Sequence, residues 1–265
     1  MRLFAMNNIF VFDIETIPDL ETGRRIYKLQ GLSDEDTAKA MFHIRNQETG
    51  GSDFMRHHLH RIVAISVVFK QTDSIKVWTL GEEDSSEKEI LQRFFDGIAR
   101  YTPTLVSWNG GGFDLPVIHY RALKHGVDAA RYWETGADDQ SFKWNNYISR
   151  YHARHTDLMD LLSGYQPRAA APLDQIATSL GFPGKMGMDG SKVFDTWLAG
   201  DIGQIRDYCE TDVLNTWLVY LRFELMRGNI DAPGFDKECE QLKELLSSSE
   251  KPHLQEFLEH WQQSA

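Results

Sequence analysis

A chain of 265 residues with 42% hydrophobic and 12% aromatic content can bury one large core and is close to the size at which chains split, so one catalytic domain with a small appendage is expected. Two cysteines, Cys209 and Cys239, are too few and too far apart for a disulfide framework or a thiolate zinc site, and no apolar run near the start is long enough for a signal peptide or membrane span; a soluble, cytoplasmic protein is expected. The net charge of -11 speaks against a basic phosphate-binding surface, but a carboxylate cage that holds divalent cations would meet phosphate through the metals.

Ile9 to Phe12 reads as a buried strand running into Asp13-Ile14-Glu15. Residues 19–60 are polar, charged and interrupted by Gly50-Gly51, so they read as an insertion, partly helical near Asp34 to Ile44 and expected to be mobile without substrate. Arg61 to Phe69 is a second strand and Lys76 to Thr79 a short third, which predicts a mixed sheet opening with a meander. Ser86 to Ala99 is helical, with Ile90, Leu91, Phe94, Phe95 and Ile98 on one face, and leads to a fourth strand, Thr104 to Trp108. A glycine run, Gly110-Gly111-Gly112, precedes a helix from Asp114 to His125 closed by Gly126. Helical spacing returns at Leu173 to Leu180 and at Asp201 to Arg227. Two amphipathic helices, Asp236 to Leu246 and His253 to Trp261, follow Pro233.

Three acidic motifs stand on these elements. In Phe12-Asp13-Ile14-Glu15-Thr16 the strand period of two points both carboxylates to one face, where they can bridge metals. The same Asp-x-Glu pattern recurs at Asp236 and Glu238, where it is a solvated helix surface. In Asn109-Gly110-Gly111-Gly112-Phe113-Asp114 an acid ends a glycine turn; standing before Leu-Pro, it reads on its own as a helix N-cap that needs no catalytic role. Tyr208 and Asp212 lie four apart on a helix and share one face, either as a functional pair or as a core tyrosine beside a solvated aspartate.

Together, and in this order, the motifs Phe-Asp-Ile-Glu-Thr, Asn-Gly-x-x-Phe-Asp and Tyr-x-x-x-Asp resemble the DEDD exonuclease superfamily in its tyrosine-containing subclass, DEDDy. The resemblance is greatest to prokaryotic stand-alone exonucleases similar to the proofreading domain of B-family DNA polymerases, and continues through His155 to Asp160, Pro183-Gly184-Lys185 and Tyr208-Cys209-Glu210. It implies an α/β, ribonuclease-H-like mixed β-sheet flanked by helices, with an exonuclease domain over residues 1–230 and a small helical C-terminal extension over 231–265. It also implies that Asp13, Glu15, Asp114 and Asp212 ligate two Mg²⁺ or Mn²⁺ ions, with Tyr208 orienting the attacking water. The implied partner is the 3′ end of a single-stranded nucleic acid, DNA favoured, with release of nucleoside 5′-monophosphates.

Weaker candidates for substrate contact carry bland alternatives. His155 and Asp157 belong to a family motif, yet an aspartate entering a buried element is as often a turn residue. Lys185 can reach a phosphate or be solvated; Thr16, Asn109 and Phe113 flank the acids, and Phe113 or Trp108 could stack a base, with core packing favoured for Trp108. Arg56, His57, His58, His60 and Arg61 form a basic cluster, read as a phosphate-facing edge or a solvated turn. Competing functions are an exoribonuclease and a catalytically silent nucleic-acid-binding module. The short stretch after the third motif leads us to expect no polymerase domain.

Overall fold

In the computed structural model, which describes residues 8–264, the first apolar run becomes the central strand β1 (Ile9–Pro18). It pairs antiparallel with β2 (His60–Gln71), which turns back into β3 (Ser74–Thr79). β4 (Thr104–Ser107) and β5 (His155–Asp157) add parallel strands on the other side, giving the five-stranded order β3-β2-β1-β4-β5. The helices are α1 (Leu20–Tyr27), α2 (Asp34–Thr49), α3 (Glu87–Tyr101), α4 (Asp114–His125), α5 (Leu158–Leu162), α6 (Leu173–Ser179), α7 (Val193–Leu198), α8 (Ile202–Met226), α9 (Ala232–Ser247) and α10 (Pro252–Ser264). This mixed sheet flanked by helices is the α/β, ribonuclease-H-like arrangement expected from the sequence. No helix among the described residues is long and apolar enough to cross a membrane.

The alternation of β1 divides the core. Phe10, Phe12 and Ile14 pack with Ile65, Val67 and Phe69 of β2 against Leu91, Phe94 and Phe95 of α3 and Val117 and Ile118 of α4. Ile9 and Val11 face the other way, toward Val213, Leu214, Trp217 and Leu218 of α8. Continuing that second face, the strand period delivers Asp13 and Glu15 to the side covered by α8, where the apolar residues give way to acids. α9 and α10 extend the same core through Phe235, Leu242, Leu246, Leu254, Phe257 and Trp261. Lys70, only 1% exposed, ties β2 to α9 through Glu238 at 2.8 Å and Gln241 at 2.5 Å.

Residues 19–60 form α1 and α2, with a small apolar cluster of their own in Leu20, Ala38, Met41, Met55 and Leu59. A buried ion network binds them to the sheet. Arg121 of α4 bridges Asp19 and Glu87, whose second oxygen it meets at 2.5 Å; Lys124 reaches Asp19 at 2.8 Å and His125 reaches Glu87 at 2.7 Å. Burial alone would raise the Asp19 carboxyl, but hydrogen bonds from Lys124, Thr22 and Arg121 hold it well below the usual carboxylate range. Replacing Arg121 by alanine removes the one buried cation shared by Asp19 and Glu87 and leaves them only Lys124 and His125, so a loss of about 3–5 kcal/mol is expected. Urea unfolding measures it. A loss below about 1 kcal/mol would place the network's charges in solvent rather than in the interior.

Candidate active site

Four carboxylates from three separate segments meet where β1 emerges from the core. Asp13 and Glu15 come from β1 and Asp212 from α8, while Asp114 is the first residue of α4. The N-cap reading of Asp114 is not realised: Phe113 occupies the cap position and makes no side-chain cap bond. The Asp114 carboxylate instead accepts from its own N–H and from the N–H of Ile14, between the two acids of β1. Among the described residues none of the four forms an ion pair, and Lys185 acts on Asp212 only through space.

The electrostatics follow from that geometry. Burial, then Asp114, Glu15 and Asp212, raises the Asp13 carboxyl well above its ordinary value. Burial and the charges of Asp212 and Asp114 do the same to Glu15, with no hydrogen bond opposing them. Burial lifts Asp114 to about 7, and lifts Asp212 to about 6 despite a hydrogen bond from Tyr208. Burial together with the Asp212, Glu15 and Asp13 carboxylates pushes the Tyr208 hydroxyl far above the usual phenol range. It therefore stays protonated, one helical turn before the acid to which it donates. Carboxylates that repel one another in this way are the donor set a divalent ion would take, and among the described residues Asp13 and Glu15, with Cys209, bring ligand atoms within 4.8 Å of one another.

The turn that delivers Asp114 is built by residues from β5. The Asp157 carboxylate accepts from the N–H of Asn109 at 3.0 Å, Gly111 at 2.8 Å and Asp160 at 3.3 Å. His155 bonds Ser107 at 2.8 Å, and burial lowers its pKa to about 4, so the ring is neutral. Asn109 adopts φ 63°, and a Cβ on Gly110 would fall 2.2 Å from Ser107 Oγ, which explains the small residues there. The turn reading of Asp157 is the one the fold realises, and His155, through Nε2, braces the same loop. Removing the Asp157 carboxylate in Asp157→Ala frees three backbone donors, so a loss of about 1–3 kcal/mol is expected. Displacement of Asp114 should cut turnover on the order of 100-fold. If unfolding shifts while turnover stays at the wild-type value, the loop does not set the position of Asp114.

The other candidates are spread unevenly around the acids. The basic cluster is split by the fold: Arg56 and His58 are exposed, whereas His60 is 8% exposed, its ring meets Thr16 Oγ1 at 2.8 Å and Met55 O at 3.2 Å, and burial lowers it to about 4. His57 reaches Gly112 O at 2.9 Å. Arg61 is exposed and lies 5.9 Å from the Trp197 ring. Lys185 is exposed, pairs with Asp189 at 3.3 Å and lowers Asp212 through space. Its loop is fixed from α8 by Asn215, which donates to Gly184 O at 2.8 Å and accepts from Gly184 N at 3.0 Å. Trp108 packs against the α8 core and donates to Ala171 O at 3.2 Å, as its place in the strand suggested. Sequence reasoning missed Asn215 and Phe54. Phe54 is 55% exposed, and its ring centroid lies 5.4 Å from that of Phe113. Neither carries a sequence signal, because only the fold brings it to the site.

A family described as a predicted 3'-5' exonuclease related to the exonuclease domain of PolB matches residues 52–261. The chain belongs to this family. The matched span holds Asp114, Tyr208 and Asp212 and begins after Asp13 and Glu15. The chain is also similar to DNA polymerase 1 of Sulfurisphaera ohwakuensis, 35% identical over 89 residues, and to DNA polymerase 1 of Saccharolobus solfataricus, 35% identical over 92 residues. Each of these matches covers 34% of this chain and 10% of the polymerase. Among solved structures, the family B DNA polymerase from the hyperthermophilic archaeon Pyrobaculum calidifontis aligns over 82% of this chain and 24% of its own, at a TM-score of 0.47 and 20% identity.

Proposed function

We propose that this chain is a 3′-5′ exonuclease that hydrolyses phosphodiester bonds at the 3′ end of single-stranded nucleic acid, DNA in preference to RNA, releasing nucleoside 5′-monophosphates. The observation that carries this reading is the convergence of Asp13, Glu15, Asp114 and Asp212, mutually repelling and without a cationic partner, beside a tyrosine kept protonated. These four would hold two Mg²⁺ or Mn²⁺ ions, which supply a lowered pKa for a bound water and charge stabilisation for the attacking and leaving oxygens. Asp13 and Glu15 are aimed by the strand, Asp114 by the loop that Asp157 holds, and Asp212 by α8. Tyr208 acts as a donor rather than a base in this reading, because an ordinary phenol is already a poor base at neutral pH and burial raises its hydroxyl further; it orients a water or a phosphate oxygen. Asp157 and His155 keep the loop rigid. Thr16, Asn109, Phe113, Arg61 and Lys185 are the proposed lining for the strand, and Phe54 adds an aromatic face on which a base can stack.

Single-stranded 3′ ends should be degraded ahead of blunt duplex, because separating a paired end costs unstacking energy. Salt dependence should be shallow, since few local cations contribute. A time course on linear, circular and duplex DNA, with matched RNA, tests the reading. Shortening of linear single strands from the 3′ end with circles left intact is expected. Cleavage of circles refutes an exonuclease, faster attack on duplex refutes the strand preference, and faster attack on RNA makes the chain an exoribonuclease.

A further inference from the structure

Cys209 lies against the acidic cluster, and the proposed hydrolysis gives it no task. Its side chain is fully buried, 3.5 Å from the backbone oxygen of Asp13 and 3.8 Å from Asp13 Oδ2. One donor atom each from Asp13, Glu15 and Cys209 lie within 4.8 Å of one another. Glu15 is itself only 7% exposed, and no hydrogen bond opposes the rise of its pKa. At metal bonds of about 2.0–2.3 Å, donors so spaced need little movement to meet one ion. Burial and the Asp13 and Glu15 carboxylates keep Cys209 a neutral thiol in the metal-free protein, which argues against a role as nucleophile.

The donor set differs in kind from the rest of the cluster. Asp114 and Asp212 offer oxygen alone, which suits hard ions, whereas a sulfur beside two carboxylates favours thiophilic ones. Cys209 also packs with Ile17, Val63 and Ala64, on the β2 side of β1. Asp114 heads a helix that follows β4, on the opposite side of β1. An ion bonded to the sulfur is therefore drawn away from Asp114.

We propose that Asp13, Glu15 and Cys209 form a binding corner for a thiophilic divalent ion, Zn²⁺ or Cd²⁺, and that its occupation silences the site. On binding, a metal–sulfur bond forms, the thiol proton passes to solvent and no electron changes hands. The silencing rests on the reading of Asp13 and Glu15 as ligands of the hydrolytic ions; the binding does not.

The test uses the only other cysteine as its control. Cys239 is buried in α9, away from the acids. Titration with Co²⁺ or Cd²⁺ is followed by the near-ultraviolet thiolate-to-metal charge-transfer band. Wild type and Cys239→Ser should both develop the band, saturating at one ion per chain. Cys209→Ser should not, and should need at least about 10-fold more Zn²⁺ for half-inhibition. Absence of the band in Cys239→Ser, whose one thiol is Cys209, overturns the proposal even if Cys209→Ser fails to fold. Persistence of the band in folded Cys209→Ser overturns it too. A protein that digests DNA with Mg²⁺ yet shows no band loses only this inference, whereas a band in a protein inert on nucleic acid keeps the ion site and removes the nuclease reading.

Discussion

Replacing Asp13 or Asp212 by alanine is expected to abolish phosphodiester hydrolysis while the fold is kept. If each carboxylate contributes ~4 kcal/mol through the ion it holds, its loss slows turnover about 1,000-fold. The same positions carry a stability effect of opposite sign. Without metal, burial and the neighbouring carboxylates raise Asp13 well above its ordinary value, and burial brings Asp114 to about 7 and Asp212 to about 6. A carboxyl whose folded pKa exceeds its unfolded one binds more protons when folded. Its contribution favours folding at low pH and is lost as pH rises from about 4 through the folded values. Metal-free Asp13→Asn should therefore melt above the wild type near neutral pH, with the gap closing toward about pH 4. Each kcal/mol is worth about 2–4 °C in a chain of this size, within reach of calorimetry in EDTA. Mn²⁺ should then reverse the order, because the intact site binds the ion only when folded. Wild-type turnover by Asp13→Ala, or a lower melting temperature for metal-free Asp13→Asn at neutral pH, contradicts the account.

Tyr208→Phe should lower kcat by about 10- to 1,000-fold, the range for losing one oriented donor. Metal binding should change little, because the ring stays and all four carboxylates remain. The pH profile separates a donor from a base. Burial alone raises the hydroxyl above the ordinary phenol range, so it stays protonated across acid and neutral pH and the fall in kcat should be the same at both. A deficit that grows with pH would make Tyr208 a base. Unchanged turnover would return it to a packing role on α8.

The strand period alone placed Asp13 and Glu15 on one face, and helical spacing placed Tyr208 beside Asp212. These local rules hold here because the elements are long: β1 spans ten residues and α8 spans twenty-five. β5 was not visible as a strand, since three residues, His155–Asp157, are too few to show an alternation. The part Asp157 plays was hidden for a related reason, as its partners Asn109 and Gly111 lie more than forty residues away. His60 was grouped with its basic neighbours because charge in a sequence carries no information on burial: it is buried and neutral, and serves the packing of residues 19–60 onto Phe113 and Thr16. Asp114 looked like a cap because Leu-Pro follows it, yet its carboxylate turns to β1, a contact only the tertiary fold creates.

The most direct test of the central claim is release of a 3′-terminal label from single-stranded DNA by the wild type and by Asp212→Asn purified in parallel, each with Mg²⁺, with Mn²⁺ and with EDTA. The account predicts that the wild type frees a labelled nucleoside 5′-monophosphate with either ion and nothing in EDTA, and that Asp212→Asn frees none under any condition. Release that survives EDTA, or that Asp212→Asn matches, would contradict it.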